Sequence, residues 1–391
     1  MKNDTPLKVM LCAGEVSGDM YGAALMEALR ARYSGRQIEF FGMGGDAMRA
    51  AGADIRYHTD DLGAMGLVEV LKKIGFFKRV LADMVKLASE RKPDVLVTID
   101  YYSFNVKLAE QVKARVPGIK TVQYVSPKVW AWRSNRVHRI AAAYDRMLCI
   151  FPFEPAIYQA VGLNADYVGH PLVGRAEATR RETSPALPWY GKHHIAILPG
   201  SRAGEIRRIL PTFLHAAHRI ERVKHENCSF IIPVPTARMR AEVERIVAAA
   251  GKKPMHLSIV DGQARHVLMQ SRAAMIASGT ATLEACLMDC PAVLAYRMHP
   301  LTAAVAWLLL HRNKGLFAGL VNIIAGREVM PELLQRDFTY FTTASLVLGF
   351  LRDTPDRQAL MKAYAGVRAQ LGGGEASEAA AAAIADELGD R

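Results

Sequence analysis

The sequence predicts an α/β chain built as two nucleotide-type domains that face a cleft. Short runs rich in Val, Ile and Leu alternate with longer helical stretches along most of the 391 residues, the rhythm of parallel sheets with right-handed crossovers. One kind of joint also recurs three times, in both halves of the chain: an apolar strand, a turn of small residues and a helix start. The joints are Val9–Asp19 (VMLCAGEVSGD), Ile195–Arg202 (IAILPGSR) and Met275–Glu284 (MIASGTATLE). Such a turn aims free backbone N–H groups and the positive end of a helix at one spot, which suits phosphate or another anion. A chain of this length holds about two domains.

In the first half the expected strands are Lys8–Ala13, Ile38–Gly42, Asp94–Ile99, Thr121–Val125 and Arg146–Phe151, with helical text at Gly22–Arg32, Gly66–Glu90 and Phe104–Arg115. Tyr167–Leu172 (YVGHPL) leads into a polar stretch, Glu177–Pro188, where the hinge is expected. His170 there reads as a structural hinge residue and not as a base. The second series of strands is His194–Leu198, Ser229–Val234, Leu257–Val260, Ala273–Ala277 and Ala292–Tyr296, and an Ala-rich helix, Glu375–Leu388, follows. The domains are thus 1–172 and 173–345, with C-terminal helices over 346–391 that can pack across domains or subunits. No repeat of 20–50 residues occurs.

The chain is 51% hydrophobic, enough for two full cores, and carries 50 Lys+Arg against 38 Asp+Glu, a formal net charge of +12. That excess favours an anionic partner: nucleic acid, an acidic membrane surface or a phosphorylated substrate. The N-terminus lacks a signal-peptide pattern. The longest apolar stretch, Leu301–Leu310, is half the ~20 residues a spanning helix needs, so a soluble or peripheral protein is expected. Five cysteines without a Cys-x-x-Cys read as buried reduced thiols in a reducing compartment. No two aspartates stand two apart and no His/Cys cluster has zinc spacing, so neither a metal nor another cofactor is expected.

In Met65–Lys78, Leu67, Val70, Leu71, Ile74 and Phe77 form a helical apolar stripe flanked by Lys72, Lys73, Lys78 and Arg79. The plain alternative is a helix packed on its own sheet; the functional reading is a basic, lipid-facing helix.

Five motifs occur in order: Ala13–Asp19 (AGEVSGD), Val125–Arg133 (VSPKVWAWR), Leu198–Arg202 (LPGSR), Ala277–Glu284 (ASGTATLE) and Ala325–Glu328 (AGRE). Together they resemble the lipid-A-disaccharide synthases, glycosyltransferase family 19, over about residues 8–340. The resemblance implies a GT-B fold, two Rossmann-like domains facing a cleft, with a C-terminal helical segment. It implies an inverting transfer of 2,3-diacylglucosamine from UDP-2,3-diacylglucosamine to 2,3-diacylglucosamine 1-phosphate, giving the β-1,6 disaccharide phosphate and UDP. It places the protein in the cytoplasm, peripheral on the anionic inner-membrane surface, with no nucleic-acid partner. A homodimer is left open.

Inversion needs a base for the attacking hydroxyl and positive charge or dipoles on the departing diphosphate. Asp100 follows an apolar strand, at the sheet edge where ligands bind, and resembles the family's catalytic aspartate; the plain alternative is a helix N-cap. The family often has a second aspartate three residues on, where this chain has Ser103. Glu15 and Asp19, in the first joint with Gly14, Ser17 and Gly18, are the other carboxylates that could orient the acceptor or act as base. Arg202, after Ser201, is assigned to the diphosphate, since its guanidinium adds a bidentate cation to the helix end; the alternative is a surface ion pair. Ser278, Gly279 and Thr280 form the other anion-binding turn. By resemblance Glu284 reaches the ribose hydroxyls, against a capping-box role. Asn322 and Arg327 stand beside the next turn as donor-site candidates. Arg133, in a basic run with Lys128, Arg136, His138 and Arg139 around Trp130 and Trp132, is expected to hold the acceptor phosphate, against a solvated surface.

Three alternatives compete: a UDP-sugar epimerase of the same architecture, a nucleic-acid-binding protein suggested by charge alone, and a non-catalytic lipid-binding protein. The epimerase has no need of a greasy basic helix, no nucleic-acid module is present, and Asp100 with Arg202 argues for catalysis.

Overall fold

In the computed structural model the described residues are 5–62, 74–127, 129, 136–224, 227–297 and 317–389. The chain divides into two units, Met1–Pro171 with Gly373–Arg391, and Leu172–Gly372.

The first unit holds seven parallel strands: β1 (Leu7–Ala13), β2 (Ile38–Gly44), β3 (Asp54–His58), β4 (Val95–Ile99), β5 (Lys120–Tyr124), β6 (Arg146–Cys149) and β7 (Asn164–Tyr167), in the order β3-β2-β1-β4-β5-β6-β7. Every residue of β4 and β6 is buried, as expected of parallel strands covered by helices on both faces. Met10, Phe41, Leu96, Leu108 and Met147 lie at the centre of this core. Helices Val16–Arg32, Ile74–Arg91, Tyr102–Arg115 and Arg136–Ala143 are among the crossovers.

The second unit repeats the plan with six strands: β8 (His193–Leu198), β9 (Cys228–Val234), β10 (Leu257–Asp261), β11 (Ala273–Ala277), β12 (Ala292–Tyr296) and β13 (Glu332–Leu334), in the order β10-β9-β8-β11-β12-β13. All pairings are parallel.

Two boundaries differ from the sequence expectation. The polar stretch proposed as a hinge is helical as far as Arg181, within Pro171–Arg181, and the units divide earlier, at Pro171. Residues 346–391 form no segment of their own. Helices Tyr340–Phe350 and Pro355–Leu371 belong to the second unit, and Ala376–Glu387 to the first. There it packs on Val16–Arg32 and on β5 and β6. Buried Arg146 ties it down through Asp386 at 2.8 Å, and Lys120 through Glu387 at 2.9 Å. Among the described residues no helix is long and apolar enough to cross a membrane.

Candidate active site

Both sheets reverse their winding at one place: between β1 and β4 in the first unit, and between β8 and β11 in the second. In open α/β sheets ligands bind beyond the carboxyl ends of the strands at this switch point. Ala13 pairs with Ile99 at the first, and Leu198 with Ile276 at the second. The turns that follow carry Gly14 and Glu15, Asp100, Ser201 and Arg202, and Ser278 to Thr280. Four sequence-predicted turns thus fall at the two switch points, two in each unit.

Asp100 is the first residue beyond β4, and its backbone is left-handed (φ 50°), as is that of Tyr101 (φ 44°). Two consecutive non-glycine residues in this region, one of them aromatic, cost roughly 1–3 kcal/mol each. Tyr101, not Asp100, occupies the N-cap position of Tyr102–Arg115, and its own side chain makes no capping hydrogen bond. Asp100 N donates to Tyr124 O at 3.0 Å. The buried amide of Asn105 donates to Ile99 O at 3.2 Å and to Asp100 O at 2.8 Å. Gln123 Nε2, also buried, lies 3.1 Å from Asp100 O. Strain held in place by buried hydrogen bonds is a mark of functional turns.

The adjacent β1 turn is packed against this one. A Cβ on Gly14 would lie 2.4 Å from the Tyr101 ring, so this glycine permits close approach of the two turns. Gly18 is buried within the first turn of Val16–Arg32. Glu15 stands at the N-cap of Val16–Arg32. Burial first, and the Glu15 carboxylate second, push the Tyr101 phenol up, which keeps it a proton-bearing donor. Ser17, half-buried, opens the helix. Asp19 must be corrected. Its carboxylate is buried and accepts from the backbone N–H groups of Gly45 (2.6 Å), Ala47 (2.9 Å) and Met48 (3.0 Å). It caps the helix Asp46–Ala50, a structural task that the sequence reading did not assign to it.

In the second unit Arg202 is the exposed N-cap of the long helix Ala203–Val223. The Glu205 carboxylate curls back to accept from Ser201 N at 3.1 Å, and lies where a Cβ on Gly200 (φ 117°) would be. Ser278 donates its hydroxyl to Ala318 O at 3.0 Å, and exposed Gly279 and Thr280 follow at the start of Thr280–Leu287. Glu284 is not a capping-box residue: it pairs with Arg265 at 3.3 Å, whose Nε donates to Thr179 Oγ1 at 2.9 Å. Asn322 is a second correction. It is fully buried, donates to Met330 O (2.8 Å) and Glu332 Oε1 (2.7 Å), and accepts from Val329 N (2.7 Å) and Met330 N (2.8 Å). Its amide builds the turn, with donors and acceptor all engaged inside the protein. Arg327 is exposed just past the helix Leu320–Ala325.

Arg133, with Lys128, Trp130 and Trp132, lies outside the described residues, as do Leu67, Val70, Leu71 and the side chain of Ile74. Phe77, expected to face lipid, packs half-buried against the first unit's core, its ring edge-on to Phe76 at 5.7 Å. Among the described residues no group of three or more His, Cys, Asp or Glu side chains could hold a metal ion. All five cysteines are buried. Burial pushes the Cys12, Cys286 and Cys290 thiols up to about 12, which favours the unreactive thiol over the thiolate at neutral pH.

Tyr101, Asn105 and Gln123 were not singled out from the sequence. A faint signal exists, since Thr98 and Gln123 are polar residues inside apolar strands, and buried polar groups need partners.

Two doubly wound sheets, each with its polar turns gathered at its switch point, define a two-domain Rossmann-like enzyme of the GT-B fold. Residues 9–384 match the family model described as lipid-A-disaccharide synthetase. The chain is 40% identical over 383 residues to the lipid-A-disaccharide synthase of Koribacter versatilis, covering 96% of each. It is 37% identical over 391 residues to that of Myxococcus xanthus, covering 98% of each. The S. aureus MnaA–UDP co-structure shares the fold, with a TM-score of 0.66 at 12% identity over 98% of each chain. The chain belongs to the lipid-A-disaccharide synthase family. It is a glycosyltransferase of lipid A disaccharide synthesis, and the epimerase and non-catalytic readings are not favoured.

Proposed function

We propose that this chain transfers 2,3-diacylglucosamine from UDP-2,3-diacylglucosamine to the 6-hydroxyl of 2,3-diacylglucosamine 1-phosphate, releasing UDP. The observation that carries the reading, beside family membership, is Asp100 held in a left-handed turn at the carboxyl end of β4, beside the first unit's switch point. The acceptor oxygen attacks the donor's C1 from the face opposite the diphosphate. The C1–O bond breaks, its electron pair leaves with UDP, the acceptor proton passes to the Asp100 carboxylate, and the α donor gives a β product. Arg202 and the N-terminus of Ala203–Val223 stabilise the charge growing on the diphosphate, with Ser201, Ser278, Gly279 and Thr280 lining its turns. Glu284, oriented by Arg265, takes the ribose hydroxyls. Gly14, Glu15 and Ser17 border the acceptor beside Asp100, and Arg133 holds its phosphate.

Without an Asp-x-Asp pair the transfer runs on these cations and dipoles; loss of turnover in EDTA with recovery on added magnesium would overturn that point. Residues 65–78 bring the enzyme to an anionic membrane surface, where its acylated substrates lie. Co-sedimentation with anionic vesicles that survives Ser substitution of Leu67, Val70 and Leu71 would refute this.

The central test is UDP release from the two substrates by the wild type and by Asp100→Asn. Acceptor-dependent release that the variant loses supports the reading. No release by folded wild type, or a fully active variant, refutes it.

A further inference from the structure

Thr98 and Gln123 are cross-strand partners in the β4–β5 register, and both side chains are fully buried at the end of the sheet that carries Asp100. Thr98 Oγ1 donates to Gln123 Oε1 at 2.6 Å and lies 2.8 Å from the Tyr144 hydroxyl. This fixes the amide's orientation, since its oxygen is held on one side and its nitrogen must face the other. Gln123 Nε2 then meets three carbonyls at once: Asp100 O at 3.1 Å, Tyr124 O at 3.2 Å and Val125 O at 3.1 Å. Two of these belong to left-handed residues. Val125 has φ 67°, an outlier for a β-branched side chain, and Asp100 has φ 50°. The amide therefore bridges the turn after β4 to the turn after β5, where the chain leaves toward the basic, tryptophan-bearing segment.

We propose that Gln123 is a positioning residue for sugar transfer: clamped by Thr98, it locks the strained Asp100 and Val125 turns together so that the Asp100 carboxylate meets the acceptor hydroxyl. Packing alone calls for no amide there; a Leu or Met would fill the same volume. What the amide adds is a donor that satisfies carbonyls turned inward by the left-handed backbone. The inference rests on the transfer proposed above, with Asp100 as base. Gln123 touches no substrate in that scheme, so its loss acts on the chemical step and leaves binding alone.

The experiment uses the full chain with both lipid substrates and three variants, Gln123→Leu, Gln123→Glu and Thr98→Val, with Asp100→Asn alongside. Variants are compared by thermal melting before kinetics. A misplacement of the base by about 1 Å lowers kcat roughly 100-fold, so a folded Gln123→Leu should lose about 10- to 100-fold in kcat with both KM values within about threefold of wild type. Gln123→Glu places an acceptor against three carbonyls at neutral pH but regains a donor on protonation. Its kcat relative to wild type should therefore rise as pH falls, which a purely structural defect would not produce. Thr98→Val keeps the amide but frees it, and an intermediate kcat is expected; it also decides the matter if Gln123→Leu does not fold. Wild-type kcat in folded Gln123→Leu or Thr98→Val, or losses that follow only the melting temperature, would overturn the clamp. If wild type turns over, Asp100→Asn is dead and Gln123→Leu is fully active, the clamp alone fails; if wild type is inactive or Asp100→Asn is active, the underlying transfer scheme fails.

Discussion

The ring of Tyr101 occupies the space where a side chain on Gly14 would begin: a Cβ there would lie 2.4 Å from ring atoms Cγ and Cδ1. The two residues belong to different turns, one after β1 and one after β4. The ring's position ties the left-handed Asp100–Tyr101 pair to the small-residue joint that opens the first domain.

Gly14→Ala should therefore push the Tyr101 ring, and with it the Asp100 turn, out of place. We expect kcat for UDP release to fall about tenfold or more, with a stability loss of about 1–3 kcal/mol from overpacking. Steady-state kinetics on the folded variant check this; an unchanged kcat would mean the ring moves aside without disturbing Asp100.

Asp19→Ala should behave differently. It strips three backbone N–H groups of their acceptor, which costs about 2 kcal/mol or more in a buried site. Denaturant melts should show that loss while the KM for acceptor in the folded protein stays near wild type. A large rise in acceptor KM at unchanged stability would return Asp19 to the substrate site.

Arg202 stands exposed at its helix N-cap, so its removal should leave the fold intact. Arg202→Ala should lower kcat/KM for the UDP-sugar by roughly 100-fold, the usual scale for deleting one transition-state donor. Arg202→Lys should recover only part of it, because an ammonium cannot make the bidentate contact. Equal activity of the two variants would place the diphosphate elsewhere.

Glu205 gives a pH-dependent prediction. Burial raises its pKa above 4.5, against the opposing pull of Ser201 N and of Arg202 and Arg208. The folded state therefore holds this proton more tightly than the unfolded chain, and the group's contribution to stability falls as pH rises through the window above 4.5. Glu205→Gln has no proton to lose. Melting temperatures of the two proteins should agree near pH 4 and diverge toward pH 7, with the variant the more stable; a wild type that stays ahead at pH 7 would contradict the sign.

The long buried strands and the joints at their ends were legible because continuous apolar runs announce covered parallel strands, and β11 and β12 fall where the alternation placed them. The short outer strands β3, β7 and β13 were not, since Asp54–His58 and Glu332–Leu334 carry polar residues and no alternation long enough to read. Asp100 was found by its place after a strand, but its backbone was not: Asp-Tyr-Tyr-Ser contains no glycine to advertise a left-handed turn. Asp19 and Asn322 sit inside motifs of site-like composition. Their partners lie in Gly45–Met48 and Val329–Met330, and only three-dimensional contact distinguishes a carboxylate that caps a neighbouring helix from one that meets substrate. The destination of the C-terminal helix was hidden for the same reason, because an Ala-rich face fits many partners.

That helix sets an order of events during synthesis. Ala376–Glu387 covers Val16–Arg32 and completes the unit whose strands were all translated more than two hundred residues earlier. On the ribosome the first domain emerges with Arg146 still lacking Asp386, and must wait, unfinished, until the whole second domain has been made. A frameshift beyond Gly372 should therefore injure the domain encoded first while leaving the later one able to fold.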